Sequence, residues 1–139
     1  MISEAKKAKL ASLALEARGA SYSPYSGFAV GAALLTTEGR VYTGANIENA
    51  SYTPTVCAER VAIFKAVSAG ERSFAAIAIA GGKSGERVGT HIPPCGVCRQ
   101  VMAEFCPSDM EIILAVEDGY ITKTLEELLP YSFDKENLT

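Results

Sequence analysis

The chain has 139 residues, of which 48% are hydrophobic and 21% are charged. These values are ordinary for a globular protein and exclude a disordered tail or a charge-driven coiled coil. The length corresponds to a single domain spanning residues 1–139.

Thirteen basic against sixteen acidic residues give a net charge of −3, with no basic cluster. Nucleic-acid-binding proteins normally carry a basic stripe, so the charge disfavours a polynucleotide partner. The longest uncharged run, residues 19–37, is too polar and too rich in glycine and proline to span a bilayer. No signal peptide is visible at the N-terminus, so we expect a cytoplasmic protein with no membrane partner.

The first half of the chain predicts a helix, two strands and a second helix. The helix over Glu4–Ala17 has Ser3 at its N-cap position and apolar residues at helical spacing. Two strands follow, over Phe28–Leu35 and Val41–Ile47, joined by a turn. The second helix is predicted to begin near Thr55 and to end near Ala69. We expect its buried stripe to consist of Val61, Phe64 and Val67.

The second half predicts a strand, a helix, two more strands and a short helix. Phe74–Ala80 is a continuous apolar run, typical of a strand covered on both faces, and Gly81–Gly89 is predicted to be a loop. A third helix over Gly96–Phe105 must end before Pro107. The remaining elements are strands over Met110–Val116 and Ile121–Lys123, and a helix opened by the capping box Thr124–Glu127. This order indicates an α/β sandwich with a mixed sheet of about five strands.

Two cysteine motifs carry the strongest chemical signal: Cys57-Ala58-Glu59 and Pro94-Cys95-Gly96-Val97-Cys98. Each lies where a loop enters a predicted helix, so free backbone N–H groups and the helix dipole favour the thiolate over the thiol. The second motif places two sulfurs within one helical turn, where both can bind the same ion, and Cys57 completes three ligands. Three protein ligands and an open position are typical of a catalytic zinc, whereas four ligands close a structural one.

Other interpretations of these residues stay open at this point. A structural site could use Cys106 as a fourth thiolate, although it lies at the far end of the predicted helix. A redox interpretation of the Cys-x-x-Cys pair leaves the rest of the cluster without a role. His91 could be a ligand, but its position in a loop before two prolines favours a solvent-facing side chain. Gly82-Lys83-Ser84 is similar to the end of a phosphate-binding loop, but the glycine required five positions earlier is Ile77.

Glu59 follows Cys57 by two residues, on the first turn of the same predicted helix. From there a carboxylate can reach water at the open position of the metal without becoming a ligand. The alternative is an acidic residue that merely stabilises a helix N-terminus. Next to three cysteines, the pattern favours a general acid and base.

These motifs match a known family. Three cysteine ligands, a non-ligand glutamate and a Pro-Cys-x-x-Cys element are features of zinc-dependent deaminases. The chain resembles the small homotetrameric cytidine deaminases of pyrimidine salvage. The resemblance covers the chain nearly end to end, in Tyr22–Phe28, Gly44–Tyr52, Cys57–Arg60, Pro94–Gln100 and Glu127–Phe133. It departs from the family at Thr53-Pro54, in the loop that shapes the rim of the pocket, where a small residue and a non-proline are expected.

The resemblance implies a three-layer αβα sandwich that hydrolyses cytidine and 2′-deoxycytidine to uridine and 2′-deoxyuridine with release of ammonia. It implies one Zn²⁺ per subunit, held by Cys57, Cys95 and Cys98. It also implies that Glu59 moves the protons and that Arg60 offsets the charge of the thiolates.

The resemblance assigns the nucleoside contacts to Phe28, Asn46, Glu48, Ala58, Tyr52 and Phe133. The last two are expected to reach the pocket of a neighbouring subunit in a homotetramer. From the residues alone, Phe28 could equally pack in the core, and Asn46 and Glu48 could form a solvent-exposed face of the strand. The alternatives to this function are a deaminase of a related cytosine-nucleoside antibiotic and a non-catalytic zinc module that binds partners.

Overall fold

The computed structural model describes all 139 residues and contains one mixed sheet of five strands. The strands are β1 (Phe28–Thr36), β2 (Val41–Ala45), β3 (Phe74–Lys83), β4 (Glu111–Val116) and β5 (Gly119–Thr124). Their order across the sheet is β2-β1-β3-β4-β5. The β3–β4 pair is parallel and the other pairs are antiparallel. The mixed five-stranded sheet predicted from the sequence is therefore confirmed.

Four α-helices flank the sheet: α1 (Glu4–Ala17), α2 (Ala58–Ser68), α3 (Gly96–Phe105) and α4 (Leu125–Leu128). Short 3₁₀ helices follow α1 at Arg18–Ala20 and end the chain at Lys135–Leu138. Each helix is too short or too polar to cross a lipid bilayer.

The sheet is buried between two helical layers. On one face, α1 packs Leu10, Ala11 and Ala14 against alanines of β1 and β3. On the other face, α2 and α3 pack against the isoleucines of β3, with Ile63 and Met102 fully buried. Both faces of β3 are covered, as its continuous apolar run predicted. The three-layer αβα sandwich is confirmed.

Two glycines allow the helices to approach the sheet closely. A Cβ atom at Gly31 would lie 2.1 Å from the Ala14 carbonyl oxygen of α1. A Cβ atom at Gly44 would lie 2.5 Å from the Ala58 carbonyl oxygen and 2.6 Å from the Ala62 nitrogen. Only hydrogen fits at these points, so Gly44 determines how close the N-terminus of α2 lies to β2.

The buried face of α2 differs from the predicted stripe. Its buried apolar residues are Ala58, Ala62, Ile63 and Ala66, whereas Phe64 is 46% exposed and Val61 and Val67 are half-buried. The prediction was wrong because the small residues face the sheet, where Gly44 lets the helix come close. The helix also begins later than predicted, at Ala58, with Cys57 as its N-cap residue.

The ends of β2 and β3 also differ from the prediction. β2 ends at Ala45, and Ile47 pairs only through isolated bridges to Tyr22 and Val56. β3 continues through Gly81 and Gly82 to Lys83 because these residues pair with the start of β1. The loop predicted over Gly81–Gly89 therefore begins only after Lys83.

Candidate active site

Three cysteine sulfurs meet where the N-termini of α2 and α3 converge. Cys57 and Cys95 are the N-cap residues of the two helices, and Cys98 lies in the first turn of α3. The three sulfur atoms lie within 4.8 Å of one another, and those of Cys57 and Cys95 are 3.8 Å apart. Thiolates at about 2.3 Å from a tetrahedral zinc are themselves about 3.8 Å apart. The cluster therefore fits zinc and offers it three ligands.

The surroundings of the cluster stabilise negative charge on sulfur. Arg60 points an Nη2 donor at the Cys57 sulfur, at 3.5 Å. The neighbouring Cys98 thiol, aided by Arg60, lowers the pKa of Cys57 to about 5. The neighbouring Cys57 sulfur, together with burial, raises the pKa of Cys98. These surroundings therefore favour negative charge on the Cys57 sulfur.

Glu59 is buried beside this cluster. Glu59 is only 3% exposed, and its Oε1 atom has no hydrogen-bond partner. Burial raises the pKa of this carboxyl to about 7. The Nε atom of the neighbouring Arg60 is also buried without a partner. Buried polar groups without partners are rare in proteins and commonly mark a place where a ligand or water completes the site.

The other candidate ligands lie outside the cluster. Cys106 is the C-cap residue of α3 and packs against the hydrophobic core. Burial raises the pKa of its thiol to about 12, so it stays protonated at neutral pH. His91 is half-buried in the loop before α3 and does not join the three sulfurs.

Asn46, just after β2, connects to the start of β1 through hydrogen bonds of its side chain. Its Oδ1 atom accepts hydrogen bonds from the Val30 N–H at 2.9 Å and the Ser21 hydroxyl at 2.6 Å. Its Nδ2 atom donates to the Phe28 carbonyl at 2.8 Å. The side chain therefore fixes the backbone on both sides of Ala29, next to a residue predicted to stack on the base.

Glu48 is held by the segment before β1. Its Oε1 atom accepts from the backbone N–H groups of Tyr25 and Ser26, both at 3.0 Å, and its Oε2 atom accepts from the Ser26 hydroxyl. These hydrogen bonds lower the pKa of the carboxyl below its usual value, and the bond from the Ser26 hydroxyl has the largest effect. Glu48 is therefore a carboxylate at neutral pH.

Glu48 and Ser26 also line a cavity of about 370 Å³. Its other lining residues are Tyr25, Asn49, Tyr52 and Thr55. Neither Cys57 nor Glu59 lines this cavity, so its walls within one chain do not reach the metal-binding cluster.

The remaining predicted contacts divide into buried and exposed groups. The Phe28 ring covers Gly81, where an added Cβ would lie 3.1 Å from its Cε2 atom. Ala58 is fully buried as the first residue of α2, so its N–H belongs to the helix donors that have no partner within the helix. Tyr52 lines the open cavity beside Glu48 but is 77% exposed, and Phe133 is 61% exposed, so the single chain encloses neither ring.

The sequence did not predict the residues that form hydrogen bonds to the predicted nucleoside contacts. Ser21 and Ser26 anchor Asn46 and Glu48, and Gln100 donates to the Phe133 carbonyl at 2.7 Å. The available signal was the serine-rich stretch before β1, because serine side chains commonly bond nearby backbone and polar groups.

Comparisons with known proteins agree with this geometry. Residues 4–114 match the family model described as the cytidine and deoxycytidylate deaminase zinc-binding region, a span that includes all three clustered cysteines and Glu59. A cytidine deaminase of Halalkalibacterium halodurans is 51% identical over 126 residues, covering 90% of this chain and 92% of that protein. The crystal structure of cytidine deaminase from Burkholderia pseudomallei superposes with a TM-score of 0.84 at 41% identity. The superposition covers 95% of this chain and 100% of the Burkholderia pseudomallei chain.

An antibiotic-inactivating relative is more distant. Blasticidin-S deaminase of Bacillus cereus is 32% identical over 109 residues, covering 76% of this chain and 77% of that protein. The family match confirms the zinc-binding region predicted from the cysteine motifs. The chain belongs to the family of cytidine and deoxycytidylate deaminases defined by this zinc-binding region.

Proposed function

We propose that this chain hydrolyses cytidine and 2′-deoxycytidine to uridine and 2′-deoxyuridine, with release of ammonia. One observation carries the proposal: the buried, unpartnered Oε1 atom of Glu59 lies beside a cluster of three sulfurs. A structural zinc site closed by four ligands needs no such carboxyl. Zinc held by these three sulfurs would act as a Lewis acid and would make water a nucleophile at neutral pH.

Glu59 carries the protons of the reaction. Its carboxylate accepts a proton from the attacking water, and the protonated carboxyl then donates it to N3 of the cytosine ring. After the hydroxyl has added to C4, Glu59 takes the second proton from that hydroxyl and donates it to the 4-amino group. The C4–N bond then breaks, ammonia leaves and a carbonyl remains at C4. Water and cytidine are thereby converted to ammonia and uridine, and the carboxyl ends in its starting state.

Arg60 offsets the negative charge of the metal site. Three thiolates on a divalent ion leave a net negative charge, which weakens the ion as an electrophile. The Arg60 guanidinium, 3.5 Å from the Cys57 sulfur, withdraws electron density from that ligand. Its role is to keep the site electrophilic while the cysteines keep the ion bound.

Residues of β1, of the segment after β2 and of α2 hold the nucleoside. The Phe28 ring stacks on the base, and the Ala58 N–H donates to the pyrimidine O2. Asn46 and Glu48 hold the ribose 3′-hydroxyl. The ionised state of Glu48 supports this assignment, because a carboxylate is a strong acceptor for a sugar hydroxyl.

The enzyme acts as a homotetramer in which Tyr52 and Phe133 complete the pocket of a neighbouring subunit. Two features support this arrangement. Both aromatic side chains are mostly exposed on the single chain. In addition, the outer face of α2 presents Phe64 and Val61 along an open groove that also includes Tyr42 and Val56. Exposed apolar surface of this kind is typical of interfaces between subunits.

The proposal is tested by incubating the zinc-loaded protein with cytidine. We expect the ultraviolet absorbance of cytidine to fall while one ammonia is released for each uridine formed. Protein stripped of metal by a chelator should be inactive and should recover when zinc is returned. A zinc-loaded, folded chain that releases no ammonia from cytidine would refute the proposal and favour a non-catalytic zinc module.

A further inference from the structure

The Ser26 hydroxyl lies between two segments of the proposed nucleoside site. It donates a hydrogen bond to Glu48 Oε2 and accepts one from the Phe28 N–H at 3.0 Å. The Ser26 backbone N–H also donates to Glu48 Oε1, at 3.0 Å. One serine therefore connects the carboxylate after β2 to the first residue of β1.

We infer that Ser26 is a positioning residue that sets the location of the Glu48 carboxylate relative to the Phe28 ring. This inference rests on the proposed function, in which Glu48 contacts the sugar and Phe28 the base. Because one glycosidic bond joins base and sugar, only a limited range of distances separates them. The spacing between the two protein groups therefore affects how well both contacts form together.

The acceptor capacity of Glu48 agrees with this role. An ionised carboxylate has about four acceptor sites. Two on Oε1 are taken by the N–H groups of Tyr25 and Ser26, and one on Oε2 is taken by the Ser26 hydroxyl. One site on Oε2 is left for a hydroxyl of the sugar. Ser26 thus restricts the carboxylate without using all of its capacity.

The backbone next to Ser26 fixes the hydroxyl. Gly27 has a φ of +66°, a left-handed conformation that glycine adopts without strain, and its N–H donates to the Ser23 carbonyl at 3.0 Å. This turn brings the Phe28 N–H back onto the Ser26 hydroxyl. Both the donor and an acceptor site of that hydroxyl are then in use, so it cannot rotate freely.

A purely local role makes a different prediction. Serine hydroxyls often stabilise turns by bonding a backbone N–H two residues ahead, as Ser26 does with Phe28. If that were its whole function, removing the hydroxyl would lower activity on every substrate alike. A positioning role through Glu48 affects only substrates that have the 3′-hydroxyl.

The test compares cytidine with 3′-deoxycytidine in the zinc-loaded wild type and in Ser26→Ala. We expect the wild type to favour cytidine in kcat/KM. In Ser26→Ala the value for cytidine should fall about tenfold, mainly through KM, as expected for a weakened hydrogen bond to a charged group. The value for 3′-deoxycytidine should change less than about twofold, below the contribution of one ordinary hydrogen bond.

Two further variants make the comparison specific. Ser26→Thr keeps the hydroxyl and should keep the preference for cytidine. Ser84→Ala is the matched control, because its backbone N–H bonds the Gly27 carbonyl while its hydroxyl bonds neither Glu48 nor Phe28. It should behave as the wild type. If Ser26→Ala does not fold by circular dichroism, Ser26→Gly removes the same hydroxyl and takes its place.

The failures can be told apart. A wild type that does not deaminate cytidine refutes the proposed function. A wild type that deaminates both nucleosides equally well refutes the sugar contact, and the role of Ser26 with it. If the wild type discriminates and the hydroxyl-free variant discriminates as strongly, or loses both substrates equally, the inference about Ser26 is wrong while the proposed function stands.

Discussion

At the scale of single residues, the buried placement of Glu59 and Arg60 lowers the stability of the fold. Each has a buried polar atom without a partner, Oε1 in Glu59 and Nε in Arg60. A buried group left unpaired costs about 1–3 kcal/mol, and more when it is charged. Both lie in the first turn of α2, two and three residues after the N-cap residue Cys57. This cost is explained if the site is completed by a metal, water and a substrate.

Replacing Glu59 by glutamine tests its proton-transfer role. The amide keeps the size of the side chain but cannot exchange protons, so turnover of cytidine should fall by about 10²–10⁴-fold. Zinc content, measured by metal analysis of the purified protein, should stay at the wild-type level. Turnover near that of the wild type in a zinc-loaded Glu59→Gln protein would remove Glu59 from the mechanism.

Two cysteines of α3 provide a matched pair for the metal site. Cys98 belongs to the sulfur cluster, whereas Cys106 packs against the core at the other end of the helix. Cys98→Ala should abolish tight zinc binding and activity. Cys106→Ala should retain both and lose about 1 kcal/mol or less of unfolding free energy. Metal analysis and denaturant melts measure the two effects, and loss of zinc in Cys106→Ala would indicate a closed site of four thiolates.

At the scale of elements, local signals predicted some boundaries and tertiary contacts set the others. The predicted α3, Gly96–Phe105, is the observed helix because prolines at 94 and 107 mark both ends. The start of α2 was missed because its N-cap residue, Cys57, makes no side-chain cap hydrogen bond and so leaves no capping signal. β3 was predicted too short because pairing with β1 carries it through two glycines.

The same distinction applies to the site. The three cysteines and Glu59 could be found from the sequence because helical spacing alone brings each motif's side chains together. The bond between Ser26 and Glu48 could not, because it joins positions 22 residues apart through the way β1 and β2 pair. The hydrogen bonds of Asn46 to Phe28 and Val30 depend on that pairing as well.

Gly44 links the packing of an element to the chemistry of the site. A Cβ there would meet backbone atoms of α2 at 2.5 and 2.6 Å, so Gly44→Ala must push the N-terminus of α2 away from β2. We expect a loss of about 1–3 kcal/mol in unfolding free energy, typical of overpacking, with weaker zinc binding. Gly19→Ala is the control, because nothing lies within 4 Å of its added Cβ. Unchanged zinc affinity in Gly44→Ala would show that the cluster does not depend on this contact.

At the scale of the whole molecule, one chain presents the metal-binding cluster but leaves aromatic side chains outside any closed pocket. Tyr52 is 77% exposed and Phe133 is 61% exposed, and the backbone at Phe133 is tied to α3 through Gln100. A large aromatic side chain held in place by its backbone and still exposed is poorly explained by the single chain. The proposed homotetramer gives these rings a function in a neighbouring subunit.

Mixed tetramers test whether Phe133 acts on a neighbouring subunit. An aromatic contact adds about 0.5–1.5 kcal/mol beyond area burial, so Phe133→Ala alone should raise KM several-fold. Glu59→Gln alone should be almost inactive. After subunit exchange between the two variants, some pockets combine an intact Glu59 from one chain with an intact Phe133 from another, and these should regain a KM close to the wild-type value. Exchange is verified by mass spectrometry of differently tagged chains, and confirmed exchange without recovery would mean that Phe133 acts within its own chain.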